Sequence, residues 1–445
     1  MKSILHMCAT AIIVTLGSRS GFAQVASPSE IVTAAHQAYE QRHYKDAEGL
    51  YLSAFNEISK SAGDTSSTAN LLNNLAVTYA AEKRWEDATA AFRQALALRE
   101  RTSTQGDLVL ATYLDNLGRV YQSQSKYADA ERLFQKALGI REQIVGPDGS
   151  PTASSLESLA SLYSDEAKYA AAQTFCERAL AIREKQLGAN ELKLATTLSS
   201  LGAIYLSQSQ YAKSRDSYQR ALAIREKILG QEDPEVGLTL EGLAAVYTGE
   251  GKFKQAEPFL QRALIIIKNS FGSESSELAM ALNTIGTLYG RQRKYADAEQ
   301  ALQRAVSMAE KTLGPNNLYV AHMLGNLGTL YFNQAKYVQA QPPFERSLAI
   351  VQTVLEPDNP RFAKSLNHLA AVYVQLGSHA AAEPLCQRSL AILEEPSARD
   401  YPTLIDALRI YAFLLSKTGR KAEAEPIATR AMVYEAKYNQ MIRGE

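Results

Sequence analysis

The chain has 445 residues, with 47 basic against 47 acidic side chains and so no formal net charge; 46% of it is hydrophobic and 21% charged. This is the composition of a folded chain, and its balance supplies no basic surface for nucleic acid or an anionic membrane. A globular chain of this length would form two or three domains, but the residues are organised on another plan.

The first segment, "MKSILHMCATAIIVTLGSRSGFAQ", has Lys2, an apolar run from Met7 to Leu16, and the small residues Gly21 and Ala23 around Phe22. It predicts a secretory signal over residues 1–23, cleaved after Ala23, because the run is too short to span a bilayer. Cys8 precedes the apolar core, so it is not the lipid-bearing cysteine of a lipoprotein signal. Losing Lys2 and Arg19 leaves 45 basic against 47 acidic residues, a mature charge of −2. A degenerate helical unit follows around Ala35, Ala38, Tyr44, Ala47, Tyr51 and Ala54. Then a period sets in: Tyr79, Tyr121, Tyr163, Tyr205, Tyr247, Tyr289, Tyr331 and Tyr373 are spaced by 42 without slippage. Three residues ahead of each stands Gly or Ala, and before that Leu or Ile, as in Leu117, Gly118 and Tyr121. Six residues after each comes a second aromatic, from Trp85 and Tyr127 to Tyr337, replaced by His379 in the last of the eight. A stripe such as Tyr127, Ala130, Phe134 and Ala137 follows at helical spacing. Each unit therefore predicts a helical hairpin. A closing unit around Tyr411, Ala412, Leu415, Ala424 and Ala431 brings the total to about ten over residues 29–445, and the polar tail "YNQMIRGE" suits an exposed end.

Several residue types have a physical reading. A glycine inside a helix costs about 1 kcal/mol against Ala, so Gly118, Gly202, Gly286 and Gly328 predict close approach of two helix backbones. Helices apolar on two sides, such as Phe175–Leu187, predict sandwiching between neighbours and a solenoid of nearest-neighbour contacts. The pairs Arg141/Glu142, Arg183/Glu184 and Arg225/Glu226 give way to Ile267/Lys268, Ala309/Glu310 and Val351/Gln352 in later units, and are read as a solvated edge. Cys176 and Cys386, five repeats apart, are read as buried free thiols.

The Leu-Gly/Ala-x-x-Tyr of the first helix and the Ala-x-x-x-Phe-x-x-Ala of the second (Ala130, Phe134, Ala137) resemble the tetratricopeptide repeat. The 42-residue unit is similar to the long form found in kinesin light chains, with "LGQEDPE" and "LEPDNPR" as linkers between repeats. The resemblance implies an all-α fold, a right-handed α-solenoid superhelix of stacked helix-turn-helix hairpins. It does not carry over the motor partnership, because a signal segment stands where those proteins have a heptad coiled coil. A bacterial exported repeat protein, periplasmic or secreted, is the nearer expectation.

No Walker loop, H-E-x-x-H, G-x-S-x-G or Cys-x-x-Cys occurs, so no catalytic residue, metal site or cofactor is expected. His379 and Cys386, seven apart, read as packing. A second line on the first helices is polar and small: Asn74, Asn116 and Arg119 early, then Asn326, Asn333, Lys364, His368 and Gln375 late. The resemblance implies that this line faces a groove, where Asn at such positions holds an extended peptide by its amide. Asn326, Lys364 and His368 match part of the family's carboxylate clamp, while Asn283 and Thr287 depart from it. The expectation is a non-enzymatic scaffold binding a peptide or protein partner, acidic or carboxylate-bearing, most tightly at residues 322–375, with His368 strengthening binding at mildly acidic pH. The alternatives are a structural solenoid that self-associates through its ends or outer face, and a non-catalytic subunit of an exported complex.

Overall fold

The computed structural model describes residues 27–60, 65–102, 107–187, 192–355, 357–394 and 400–443; the expected signal segment lies outside them. Among the described residues there are twenty helices and no strand. They pair as ten hairpins: α1 (Pro28–Glu40) with α2 (Tyr44–Lys60), α3 (Thr65–Ala81) with α4 (Trp85–Thr102), α5 (Leu108–Ser123) with α6 (Tyr127–Val145), α7 (Ser150–Asp165) with α8 (Tyr169–Leu187), and α9 (Leu192–Ser207) with α10 (Tyr211–Leu229). The remainder are α11 (Pro234–Gly249) with α12 (Phe253–Phe271), α13 (Ser276–Arg291) with α14 (Tyr295–Leu313), α15 (Leu318–Asn333) with α16 (Tyr337–Val354), α17 (Pro360–Gln375) with α18 (His379–Glu394), and α19 (Tyr401–Lys417) with α20 (Lys421–Arg443).

Local chemistry fixes the helix ends. The periodic tyrosine carbonyl accepts from the amide five residues on, as in Lys126 N to Tyr121 O and Gln210 N to Tyr205 O, both 2.8 Å, which closes the first helix. The residue before that amide is left-handed in every hairpin, and Gly only at Gly251, Gly377 and Gly419; Ser125, Ser209 and Ala335 adopt φ near 58° at the steric cost of a Cβ. The next hairpin starts on a side-chain cap. Asp233 accepts from Glu235 N ahead of Pro234, and Asn359 accepts from Arg361 N ahead of Pro360.

The chain divides into two compact units, with the boundary between Ser158 and Leu159. In the first, the arginine expected at a solvated edge is buried instead. Arg141 is 6% exposed and donates to Asp115 of its own hairpin and Ser155 of the next. In the second unit Arg183 and Arg225 are likewise buried, and Arg225 donates to Ser199 at 2.9 Å and Thr239 at 2.5 Å. The glutamate beside each does lie outside, tying to the next hairpin: Glu184 to Arg220 and Glu226 to Arg262. The position is thus a core position, filled by an arginine that reaches hydroxyl or carboxylate partners or by Ile267, Ala309 and Val351, all buried.

The helical glycines also differ from expectation. What first meets Gly118, Gly202, Gly286 and Gly328 is a large side chain of the second helix; its backbone comes close only at Gly286, where the Ala298 carbonyl would lie 3.3 Å from a Cβ. A Cβ on them would lie 2.6 Å from the Phe134 ring, 2.9 Å from Tyr218, 2.7 Å from Leu302 and 2.7 Å from Phe344. Where Ala replaces Gly, the facing residue can be smaller: Cys176 packs with Ala160, and Cys386 with Ala370. Both thiols are free and buried, as expected.

Within the second unit, two contacts skip the nearest-neighbour pattern. Arg361 at the start of α17 donates to the Ser164 carbonyl at 3.2 Å, and Tyr438 on α20 donates to the Gln208 carbonyl at 2.8 Å. Tyr438 is held for this by stacking on Tyr401, ring centroids 6.4 Å apart. Hairpins 197 and 230 residues apart in sequence therefore meet, which wraps the groove of this unit around on itself.

Candidate functional site: the polar groove

The groove line is built by a rung repeated between hairpins. A residue one position before the line on one first helix bonds the line residue of the next, 43 later. Asn116 Nδ2 donates to Asn73 Oδ1 at 3.0 Å, Asn326 Nδ2 to Asn283 Oδ1 at 2.9 Å, and Thr284 Oγ1 to Glu241 Oε1 at 2.8 Å. Asn74 accepts from Asn73 at 3.2 Å and meets His36 Nε2 at 3.1 Å. Each of these asparagines thus spends its amide at least partly on stacking the hairpins. Asn116 and Asn326 are half-buried as residues, and Asn74 has both ends of its amide engaged. Asn73 and Asn283, which sequence reading passed over as site residues, were signalled by that 43-residue offset.

Arg119 in the first unit is exposed, and so are Asn333, Lys364 and Gln375 in the second. The structure brings Lys364, His368 and Gln375 together around one recess of about 380 Å³, which Asn326 and Asn333 do not line. Its floor is apolar, made by Phe332, Phe344, Val374, Ile410 and Phe413, and its charges are Lys364, Asp406 and Arg409. Phe413 is 42% exposed, unusual for a phenylalanine in a helix. Lys364 forms no ion pair among the described residues, while Arg409 is engaged with Glu435 at 2.8 Å. Five of the fourteen residues lining the recess come from α19, in the closing hairpin. The 42-residue register slips there, with Tyr411 only 38 after Tyr373, so groove positions could not be counted forward.

His368 does not behave as expected. Its ring packs on Phe344, centroids 4.8 Å apart, and burial, then the nearby charge of Lys364, pushes its pKa down to about 3. In the unliganded groove this favours the neutral ring across the mildly acidic range and counts against the expected proton-driven anion grip. His322 is depressed for the same reasons, to about 4: water reaches its ring, but the groove walls and Lys364 and Arg361 disfavour its charged form. The acid Asp406 moves the other way, raised because burial outweighs the attraction of Arg409 and Lys364. The site is thus an apolar recess with one fixed, unpaired cation at its lip. No group of three metal-ligating side chains occurs among the described residues, and no described helix is long and apolar enough to cross a membrane.

Comparisons with known proteins agree with this architecture. Sequence models of the tetratricopeptide repeat match residues 68–103, 108–185, 151–227, 235–311, 277–353 and 361–432. No curated protein matches the chain. Among solved structures, a Rap protein complexed with competence and sporulation factor is similar at 15% identity over 84% of this chain and 99% of that one, TM-score 0.62. BtubC (BKLC) from P. vanneervenii is 21% identical over 56% of this chain and 95% of that one, TM-score 0.44. A putative kinesin light chain with nearly identical repeats from Podospora anserina is 19% identical over 46% and 97%, TM-score 0.39. Likeness at these identities speaks to fold alone, but the repeat models cover well over half of the sequence, and with the ten hairpins they establish that the chain belongs to the tetratricopeptide repeat family.

Proposed function

We propose that the chain is a non-enzymatic scaffold, exported after cleavage behind Ala23, that holds an extended segment of a partner protein in its groove. The family is one of protein-binding scaffolds, and the observation that carries the finer reading is the recess at α15, α17 and α19. There Lys364, which forms no ion pair among the described residues, shares the recess with the exposed Phe413 and with Ile410. A free cation beside an apolar floor favours a segment bearing a carboxylate. The Rap protein of similar fold is solved with a bound factor, which supports ligand holding by such an array.

Peptides selected from a displayed random library against the mature chain supply the probe. Lys364→Ala is expected to weaken a selected peptide about tenfold, the loss of one charge-assisted hydrogen bond, and Asn326→Ala by less, because its amide is shared with Asn283. The affinity should be flat between pH 7.5 and pH 5.5 as far as His368 is concerned, since burial and Lys364 favour the neutral ring across that range. Binding untouched by Lys364→Ala but lost in Asn74→Ala or Asn116→Ala would move the site to the first unit. N-terminal sequencing of the purified exported protein should begin at Gln24; an intact Met1 removes the export assignment.

A further inference from the structure

In the buried arginine positions the partner lies 26 residues earlier on the first helix of the same hairpin: Arg141 meets Asp115, and Arg225 meets Ser199. Counting 26 forward from Glu241 reaches Ile267, which is fully buried and cannot pair. Glu241 is therefore an acid whose hairpin lacks the arginine. Among the described residues its carboxylate accepts one hydrogen bond, from Thr284 Oγ1 at 2.8 Å, and has no cationic partner. It is half-buried one position before the groove line, beside Gly242, whose missing side chain makes room for the Tyr218 ring. The titratable group that faces it from α10 is Tyr218; α13 contributes only the Thr284 hydroxyl.

We propose that Glu241 is a cation-binding subsite of the groove, taking an ammonium or guanidinium of the ligand in the role that Arg141 plays for Asp115. This rests on the groove-binding reading above and adds the chemistry of a second anchor, three hairpins before Lys364. Burial pushes the Glu241 carboxyl up to about 7, with nothing but the Thr284 hydroxyl to oppose it. A ligand cation would supply the missing opposition. It would draw the pKa down and release to solvent the proton that part of the population carries at neutral pH. The subsite also gives the groove polarity, basic ligand group toward α11 and carboxylate toward α17.

The same displayed library tests this. Groove-dependent peptides should share a Lys or Arg at one position. Glu241→Gln should weaken such a peptide about tenfold, and norleucine in place of the basic residue should make the peptide indifferent to that change. Ile267→Arg should restore the internal pair: the Glu241 carboxyl, followed by NMR on carboxyl-labelled glutamate, should titrate well below 7, and the preference for basic peptides should vanish. If Ile267→Arg does not fold, Glu241→Gln decides alone. Peptides that respond to Lys364→Ala but lack a basic position, or bind Glu241→Gln as they bind the parent, overturn the subsite and leave the groove reading intact. A library that yields no groove-dependent peptide overturns both.

Discussion

Gly202→Leu lowers the stability of the second unit by about 3 kcal/mol or more, seen as a fall in the urea midpoint and faster amide exchange across residues 192–249. The reason is the Tyr218 ring, buried at 7% exposure between two glycines. A Cβ on Gly202 would sit 2.9 Å from its Cδ2 and Cε2, and one on Gly242 would sit 2.5 Å from its Cε1 and Cζ. The ring cannot withdraw from one helix without striking the other. Gly202→Ala should already destabilise, although Ala is the better helix former by about 1 kcal/mol. The hairpin of α11 and α12 shows the remedy, since there Ala244 packs with Leu260. Gly202→Ala with Tyr218→Leu should therefore recover part of what Gly202→Ala loses, a positive coupling in a double-mutant cycle. An unchanged melt for Gly202→Leu would show that the ring does not occupy this space in solution.

The repeat itself was legible because it depends on rules local to one hairpin. A 42-residue tyrosine spacing, a small residue three before it, and an aromatic six after it are sufficient to place nearly every helix. What escaped sequence reading depends on which neighbour a side chain meets. An arginine beside a glutamate on a helix looks solvated until the next hairpin is in place, and only then does Arg141 find Asp115 and Ser155 around it. The replacement of that arginine by Ile267, Ala309 and Val351 was read as surface tolerance; it reports two ways of filling one buried position. The glycine rule had its signal in the sequence as well, since Gly118 and Phe134, Gly202 and Tyr218, and Gly328 and Phe344 are each sixteen apart. The groove was half legible. Lys364, His368 and Gln375 do share a recess, but its other wall belongs to α19, where the register breaks, and its histidine is held toward the neutral form by burial and by the charge of Lys364, which no spacing reveals.

The differences between repeats are more informative about function than the repeat. Most line residues are tied to the next hairpin by rungs or are small, and such positions stack the solenoid without selecting a ligand. Lys364 and Glu241 depart from this, one a cation with no ion pair and the other an acid with its arginine replaced by isoleucine. Both lie in the unit whose groove is drawn together by Arg361 with Ser164 and by Tyr438 with Gln208. In a partly enclosed groove each unpaired charge is more weakly screened than on an open surface, so each has a stronger pull on a ligand of opposite sign.

The buried pair of the first unit permits the other large prediction. Asp115→Ala should destabilise that unit by about 3–5 kcal/mol, because it strands the Arg141 guanidinium in a site where both side chains are nearly inaccessible, leaving it Ser155 alone. The intact pair is itself held at a cost: burial raises the Asp115 carboxyl more than Arg141 lowers it, and Asp115 Oδ1 is buried without a hydrogen-bond partner. A neutral filling of the same space should therefore be tolerated far better than a broken pair. The hairpin of α17 and α18 already carries one, Asn367 at the acid's position and Leu393 at the arginine's, both buried. Asp115→Asn with Arg141→Leu should accordingly lie within about 1.5 kcal/mol of the parent, while Asp115→Ala alone falls far below it. Urea melts of the three proteins, with amide exchange over residues 108–158 to localise the change, give the comparison. A loss under 1 kcal/mol for Asp115→Ala would mean that Arg141 reaches water in solution and that the position is the solvated edge its sequence suggests.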